Sequence, residues 1–247
     1  MHGLLRQGKR IAGVTTSAGE RRARLVIGAD GRNSRIARLV GATTYHDHPA
    51  VTFGYYTYWR GCPAEGVHAW LEPGRFFGIF PVGGGLALAF VQAPRGEYPA
   101  FRSEPLPAYI SELRSRPPLA GLLAGAVIAE PLRGTAALPT FFRTSSGPGW
   151  ALAGDAGHHK DPVIARGIAD AFRDADLVAS AVTDGWHGDL DSALAGYGRQ
   201  RDQCAVPLSD ANLSIARLDM SAEALGAAWY QAAGLEQALD DPAAVCD

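Results

Sequence analysis

Two acidic turns hold the residues most suited to chemistry. One reads Ala29-Asp30-Gly31-Arg32-Asn33-Ser34; the other reads Gly154-Asp155-Ala156-Gly157-His158, with Pro162 and Gly167 after it. Each follows a short apolar run that suits a β-strand. In an open α/β sheet, ligands sit beyond the carboxyl ends of strands, where a glycine lets the backbone approach and an aspartate can bind a sugar hydroxyl. Two such turns could flank one extended ligand. Pro162 fixes the loop before a long helical pattern. The first amides of that helix, around Val163, Ile164, Ala165, Arg166 and Gly167, are expected to lack intrahelical partners and to carry the positive end of the helix dipole.

In order, spacing and strand-turn-helix context, Asp30-Gly31-x-x-Ser34 and Gly154-Asp155-Ala156-x-His158-x-x-x-Pro162-x-x-x-x-Gly167 resemble the two later fingerprints of the class A flavoprotein monooxygenase family. Relatives of that family include para-hydroxybenzoate hydroxylase and the FAD-dependent halogenases. The likeness runs roughly from Arg10 to Val182. It implies FAD as cofactor, NAD(P)H as reductant, and O2 with a small organic substrate, aromatic or polyketide-like, that is hydroxylated or epoxidised. By resemblance Asp155 holds the ribityl chain, and Asp30 and Gly31 lie by the pyrophosphate and the NAD(P)H approach. Ser34, Gly154, Ala156, Pro162, Val163, Ile164, Ala165, Arg166 and Gly167 complete the implied cofactor set. The pyrimidine side of a reduced flavin is anionic, so a helix N-terminus aimed at it favours reduction without a charged side chain. No catalytic side chain is assigned and no metal is expected.

Three features depart from the family pattern. No G-x-G-x-x-G occurs in the chain, so the grip on the adenosine and pyrophosphate is lacking. The family's first fingerprint ends in an arginine where Ala37 stands, with Arg35 and Arg38 on either side. A second glycine usual after the proline is Ile164. The implied fold is α/β: a Rossmann-like FAD-binding domain lacking its first βαβ segment, interrupted by an antiparallel β-sheet substrate domain and followed by a helical C-terminus. Residues 1–43 and 143–186 form the FAD-binding parts, 44–142 the substrate sheet and 187–247 the helical region. The same scaffold serves flavin halogenases and isoprenoid reductases, although the halogenase signature Trp-x-Trp-x-Ile-Pro is absent. A non-catalytic remnant, or a subunit completed by a polypeptide that supplies the N-terminal FAD-binding segment, is the reading from a different class.

The strands and helices around these turns are legible in outline. Ile11–Val14 and Arg24–Ala29, with a polar turn through Ser17–Glu20, read as a hairpin. The second of these runs is apolar without alternation, as in a strand buried on both faces. Asn33 or Ser34 can cap a short helix that Gly41 closes. Four aromatic-rich runs follow (Val51–Trp59, Val67–Leu71, Phe76–Phe80, Leu86–Val91), with turn signals that make antiparallel connections. A Pro-rich connector spans Pro94–Pro107, and helices are expected over Leu106–Arg114 and Leu119–Ala126. In the helix after Pro162, Ile164, Ile168, Ala171, Phe172, Ala175, Val178 and Val182 share the expected buried face. Arg166, Asp170, Arg173 and Asp174 share the other, expected to be solvated and weakly ion-paired.

Composition narrows the function classes. With 47% hydrophobic residues the chain can bury a core. A net charge of −2 and no Lys/Arg block leave no basic face for nucleic acid. No apolar leader or membrane span is read, so a soluble cytoplasmic protein is expected. Cys62, Cys204 and Cys246 form no C-x-x-C and are expected as free thiols. His158-His159 with Asp161, and His46-Asp47-His48, are adjacent or near-adjacent, which gives poor convergence on a metal; loop histidines are the reading. By period two, Phe53, Tyr55 and Trp59 share one sheet face and Tyr56 and Tyr58 the other, and one of these sets is expected to face the flavin.

Overall fold

Turns at Gly8 and at 17–18 fold the start of the chain into a three-stranded antiparallel meander, β1 (Gly3–Gln7), β2 (Arg10–Thr16) and β3 (Gly19–Arg22). The computed structural model describes residues 1–240 of the chain, the side chains of 235–240 excepted. A hairpin forms here, but its second arm is β3 and not the expected run 24–29. Glycine at position 13 decides this: a Cβ there would lie 2.1 Å from the Arg21 carbonyl oxygen, so only glycine lets β3 approach. The apolar run becomes β4 (Val26–Gly28), which joins a different sheet. Val26 and Gly28 are buried as expected, whereas Ile27, pointing to the opposite face, is 47% exposed.

Next come α1 (Arg35–Val40) and β5 (Thr44–His48). Ser34 caps α1 by accepting the Ala37 N–H at 2.9 Å, and Gly41 closes the helix in the left-handed conformation.

The aromatic segment forms β6 (Thr52–Arg60), β7 (His68–Glu72), β8 (Arg75–Gly83) and β9 (Leu86–Pro94), all antiparallel. Three short helices follow: α2 (Tyr98–Ser103), α3 (Pro105–Arg114) and α4 (Pro117–Leu122). α2 lies where an irregular connector was expected; Pro99 is tolerated in its first turn and Phe101 anchors it in the core. Then β10 (Val127–Ile128) and β11 (Arg133–Thr135) both pair with β6, giving a six-stranded sheet in the order β10-β6-β9-β8-β7 with β11 also on β6. The first and fourth aromatic strands are therefore neighbours. Phe53, Tyr55 and Trp59 form core with Phe77, Ile79 and Val91 on the sheet and with Phe101, Tyr109 and Leu113 from the helices. Buried Tyr109 accepts the Trp59 indole N–H at 3.0 Å and donates to the Ala89 carbonyl at 2.9 Å. Burial pushes the Tyr109 phenol pKa upward. Tyr56 and Tyr58 are half-buried on the opposite face, their rings 6.2 Å apart.

The chain continues with β12 (Thr140–Arg143), β13 (Ser146–Gly147), β14 (Trp150–Leu152) and β15 (His158–His159). Three helices complete it: α5 (Gly167–Gly185), α6 (Leu190–Ala216) and α7 (Ala222–Asp240). β12 lies between β15 and β5, and β14 lies between β13 and β4. By contacts the chain divides into two units, residues 1–48 with 139–210, and 49–138 with 211–247.

Helix α5 buries a stripe different from the expected one. Ile168 and Phe172 are 77% and 71% exposed, while Asp170 and Asp174 are 4% and 2% exposed. The first turns of α5 bury carboxylates because partners await them. Lys160 Nζ stands 2.6 Å from Asp170 Oδ2, and Asp174 Oδ2 accepts the Gly154 N–H at 2.8 Å. Further along, Val178 and Ala181 join an apolar cluster with Ala151, Leu194 and Tyr197. The face expected to be solvated is thus the polar half of a buried stripe. Among the described residues, Cys62 and Cys204 are free thiols and no helix is long and apolar enough to cross a membrane. Cys246 and the end of the acidic tail lie outside the described residues.

Candidate cofactor site

The two acidic turns leave the carboxyl ends of adjacent parallel strands. Trp150, Ala151 and Leu152 of β14 pair with Val26, Ile27 and Gly28 of β4, and the Ala153 N–H donates to the Gly28 carbonyl at 3.0 Å. Turns 124 residues apart in sequence are thereby brought side by side, as far as strand pairing can do it. Gly28 is where α1 comes closest: a Cβ there would lie 2.8 Å from both Ile36 and Leu152 side chains.

In the first turn, Asp30 is fully occupied. Its Oδ1 accepts the Ser34 hydroxyl at 2.5 Å, and its Oδ2 accepts the Arg35 and Ile36 amides at 2.7 and 3.2 Å. Partial burial opposes ionisation, but the hydrogen bonds from Ser34 and the two amides outweigh it and hold the Asp30 carboxyl below its ordinary pKa. Asp30 therefore builds the turn and starts α1. Arg35 and Arg38, which flank Ala37, donate to the carbonyls of His2 at 2.7 Å and Asn33 at 2.6 Å.

In the second turn, Gly154 adopts φ +56°, and residues Gly154–Ala156 form one 3-10 turn. The left-handed conformation turns the chain sharply off β14, and glycine adopts it without strain. β15 then pairs with β12, which stacks His158 on Phe142 and His159 on Phe141, ring centroids 5.2 and 5.8 Å apart. Burial pushes the His159 pKa down, against the opposing hydrogen bond to the Pro139 carbonyl and the charge of Asp155. His158 Nε2 stands 3.3 Å from Asp174 Oδ2, both side chains buried.

The stretch before α5 differs in detail from a simple helix start. Pro162–Ile164 is a separate 3-10 turn whose Val163 N–H is taken by the Asp161 carboxylate at 3.1 Å. The Ala165 N–H donates to the Pro162 carbonyl at 2.8 Å, and Ala165 itself is left-handed at φ +56°. The free amides expected from Val163 onward are therefore those that begin at Gly167, the first residue of α5.

Between the turn and the helix lies a cavity of about 150 Å³, bounded by Asp155, His159, Lys160, Ile164, Arg166 and Gly167 among others. Lys160 and Asp170 contribute an ion pair with each side chain only 5% exposed. Arg173 adds a second donor to Asp170 at 3.3 Å. The cavity is small beside the roughly 300–1,000 Å³ clefts that enclose drug-sized ligands. A space of that size takes part of a ligand and not the whole of one. Over Gly167 there is open space where any Cβ would project, so the start of α5 is bare to an approaching ring. Asp155 is half-buried on the cavity wall, where a carboxylate can accept from sugar-alcohol hydroxyls. On these grounds the residues present fit the ribityl and pyrimidine end of a flavin. Ala156, Val163 and Ile164 are buried.

Sequence reasoning missed Lys160 and Arg143. Arg143 donates to the carbonyls of Ala156 and Arg32, one in each turn, at 2.9 and 3.0 Å. Neither residue sits in a spacing that marks it; both act through contacts that only folding creates. Among the described residues no group of three His, Cys, Asp or Glu side chains could hold a metal ion.

The fold is that of FAD-dependent monooxygenases and halogenases. Solved structures with this fold include a triple mutant of the flavin-dependent brominase Bmp2, at 15% identity and TM-score 0.78, covering 97% of this chain and 65% of that one. The myxobacterial chondrochloren halogenase CndH matches at 19% identity and TM-score 0.76, over 89% of this chain and 54% of its own. PqsL of Pseudomonas aeruginosa in complex with 2-aminobenzoylacetate matches at 22% identity and TM-score 0.70, over 95% and 65%. The chain thus spans 54–65% of the length of these three structures. No protein-family model and no curated protein matches it.

Proposed function

We propose that this chain is the larger part of an FAD-dependent monooxygenase acting on a small aromatic or polyketide-like substrate with NAD(P)H and O2. The observation that carries the reading is the pair of acidic turns on adjacent parallel strand ends, one of which opens onto a cavity facing the bare start of α5. When bound, FAD supplies hydride acceptance from NAD(P)H and activation of O2. Asp155 would accept from the ribityl hydroxyls. The amides from Gly167 would face the pyrimidine edge and favour negative charge there. Lys160 and Arg166 add cationic groups to the same wall, while Asp170 offsets the first. In the sheet, Phe53, Tyr55 and Trp59 are spent on core, and Tyr56 and Tyr58 remain on its half-buried opposite face.

The adenosine end of FAD needs a strand, a Gly-rich turn and a helix, and the G-x-G-x-x-G of such a turn does not occur in this sequence. In this reading that segment, in the same polypeptide or a separate one, pairs with β4, which among the described residues pairs with β14 alone. The finer fold reading, a Rossmann-like domain interrupted by a substrate sheet, belongs to the same proposal, as does a cytoplasmic location. A halogenase on the same scaffold is the second reading, favoured by the likeness to Bmp2 and CndH.

Titration of the purified chain with FAD, followed by flavin fluorescence, tests the proposal. Saturable binding that Asp155→Ala weakens at least about tenfold is expected, in keeping with loss of a charge-assisted hydrogen bond. Absence of binding, even with a strand-turn-helix segment supplied, would sink the flavin reading.

A further inference from the structure

We infer that Arg143 is a positioning residue of this site, a clamp whose guanidinium holds the Asp30-Gly31 and Gly154-Asp155 turns at one fixed spacing. The clamp rests on geometry; its ligand rests on the flavin reading above.

Arg143 ends β12, and its two terminal nitrogens diverge. Nη1 donates to the Ala156 carbonyl at 2.9 Å and Nη2 to the Arg32 carbonyl at 3.0 Å. Its own backbone N–H donates to the Gly157 carbonyl at 2.7 Å. One residue thus holds the second turn through two bonds and the first through one. Register pairing stops at Leu152 and Gly28, with one further bond from the Ala153 N–H to the Gly28 carbonyl, so the turns themselves lie past the ladder. The guanidinium supplies the link that the sheet no longer does.

The clamp is itself held. Its guanidinium carbon lies 4.0 Å from the centroid of Phe141, on the strand that bears it. Its carbonyl accepts from Arg201 Nη2 at 3.0 Å, and the same nitrogen donates to the Tyr45 hydroxyl at 2.7 Å. Arg201 is 1% exposed, so this anchor is buried. Burial and the neighbouring Arg38 disfavour the charge on Arg143, with Asp30 and Asp47 in opposition. A half-buried cation directed at two neutral carbonyls is a costly way to add stability, since apolar packing there would avoid the desolvation. It is an effective way to fix a distance, because a planar fork spans two acceptors at set angles and a lysine ammonium does not. A cofactor that touches both turns needs that distance held.

Arg143→Met and Arg143→Lys test this, read by backbone hydrogen exchange and by FAD titration at a temperature where parent and variants are folded. In Arg143→Met, exchange at both turns, residues 31–34 and 155–157, is expected to quicken together by about tenfold, the scale of one lost hydrogen bond. The strands β6–β9 should exchange as in the parent, and FAD affinity should fall by about the same factor. Arg143→Lys should protect one turn and not the other, a signature that general loosening would not produce. It also serves if the methionine variant fails to fold. Unchanged exchange at either turn in Arg143→Met would overturn the clamp, and loosened turns with unchanged FAD affinity would overturn its cofactor role. If the parent takes up no FAD even with the strand-turn-helix segment supplied, the flavin reading fails, and the exchange result still decides whether Arg143 couples the turns.

Discussion

Asp174 accepts the backbone N–H of Gly154 at 2.8 Å, so a carboxylate two turns into α5 fixes the first residue of the acidic turn that follows β14. The same oxygen lies 3.3 Å from His158 Nε2. Helix and turn are thus joined at their polar faces, and the start of α5 is held against the loop it would serve.

Removing that carboxylate should leave a buried amide unpaired. Asp174→Ala is expected to destabilise the chain by about 1–3 kcal/mol, the usual cost of orphaning a buried donor. Asp174→Asn, whose carbonyl can still accept, should cost less. Urea unfolding midpoints of the two variants compare them; equal stability of parent and Asp174→Ala would remove the anchoring role.

Two groups give the stability a pH dependence. The pKa of His159 is lowered by burial from its ordinary 6.5, so below that pH the unfolded chain binds more protons than the folded one. Stability should fall as pH drops from about 6.5 towards the lowered value, and His159→Gln should flatten that stretch. Asp30 adds a second window at more acid pH. Its lowered pKa contributes stability that is present above 3.8 and lost as pH falls through the folded value, weakly because Asp30 is largely solvated. Thermal unfolding from pH 4 to 8 in parent and His159→Gln checks the first window.

Gly28 should tolerate no side chain. A Cβ would lie 2.8 Å from Ile36 and from Leu152, both buried, so Gly28→Ala forces α1 off β4. A loss of about 1–3 kcal/mol is expected, as for other overpacked sites. A neutral effect in denaturant unfolding would show that α1 can shift freely.

Phe172 offers the opposite expectation. Its spacing on α5 looks like core, yet it is 71% exposed. Phe172→Ser should change the stability of the isolated chain by no more than about 0.5 kcal/mol. A loss of several times that would return the helix to the orientation that its apolar periodicity suggests.

Features that depend on near neighbours can be read from residue order alone. Ser34 and Gly41 bound α1 because capping is satisfied within a few residues, and the four aromatic runs became antiparallel strands because alternation and turn residues are local. The strand-Gly-Asp pattern placed the second turn correctly for the same reason. Tertiary structure alone decided which strand paired with which, since β4 leaves its sequence neighbours for β14 and β6 takes β9. It also decided which face of α5 is buried. An aspartate reads as solvent-seeking until a partner is known, and Lys160 and the Gly154 amide reach Asp170 and Asp174 only after the loop has folded back. Arg143 was silent for a related reason: its acceptors are backbone carbonyls, which every residue carries and no sequence distinguishes.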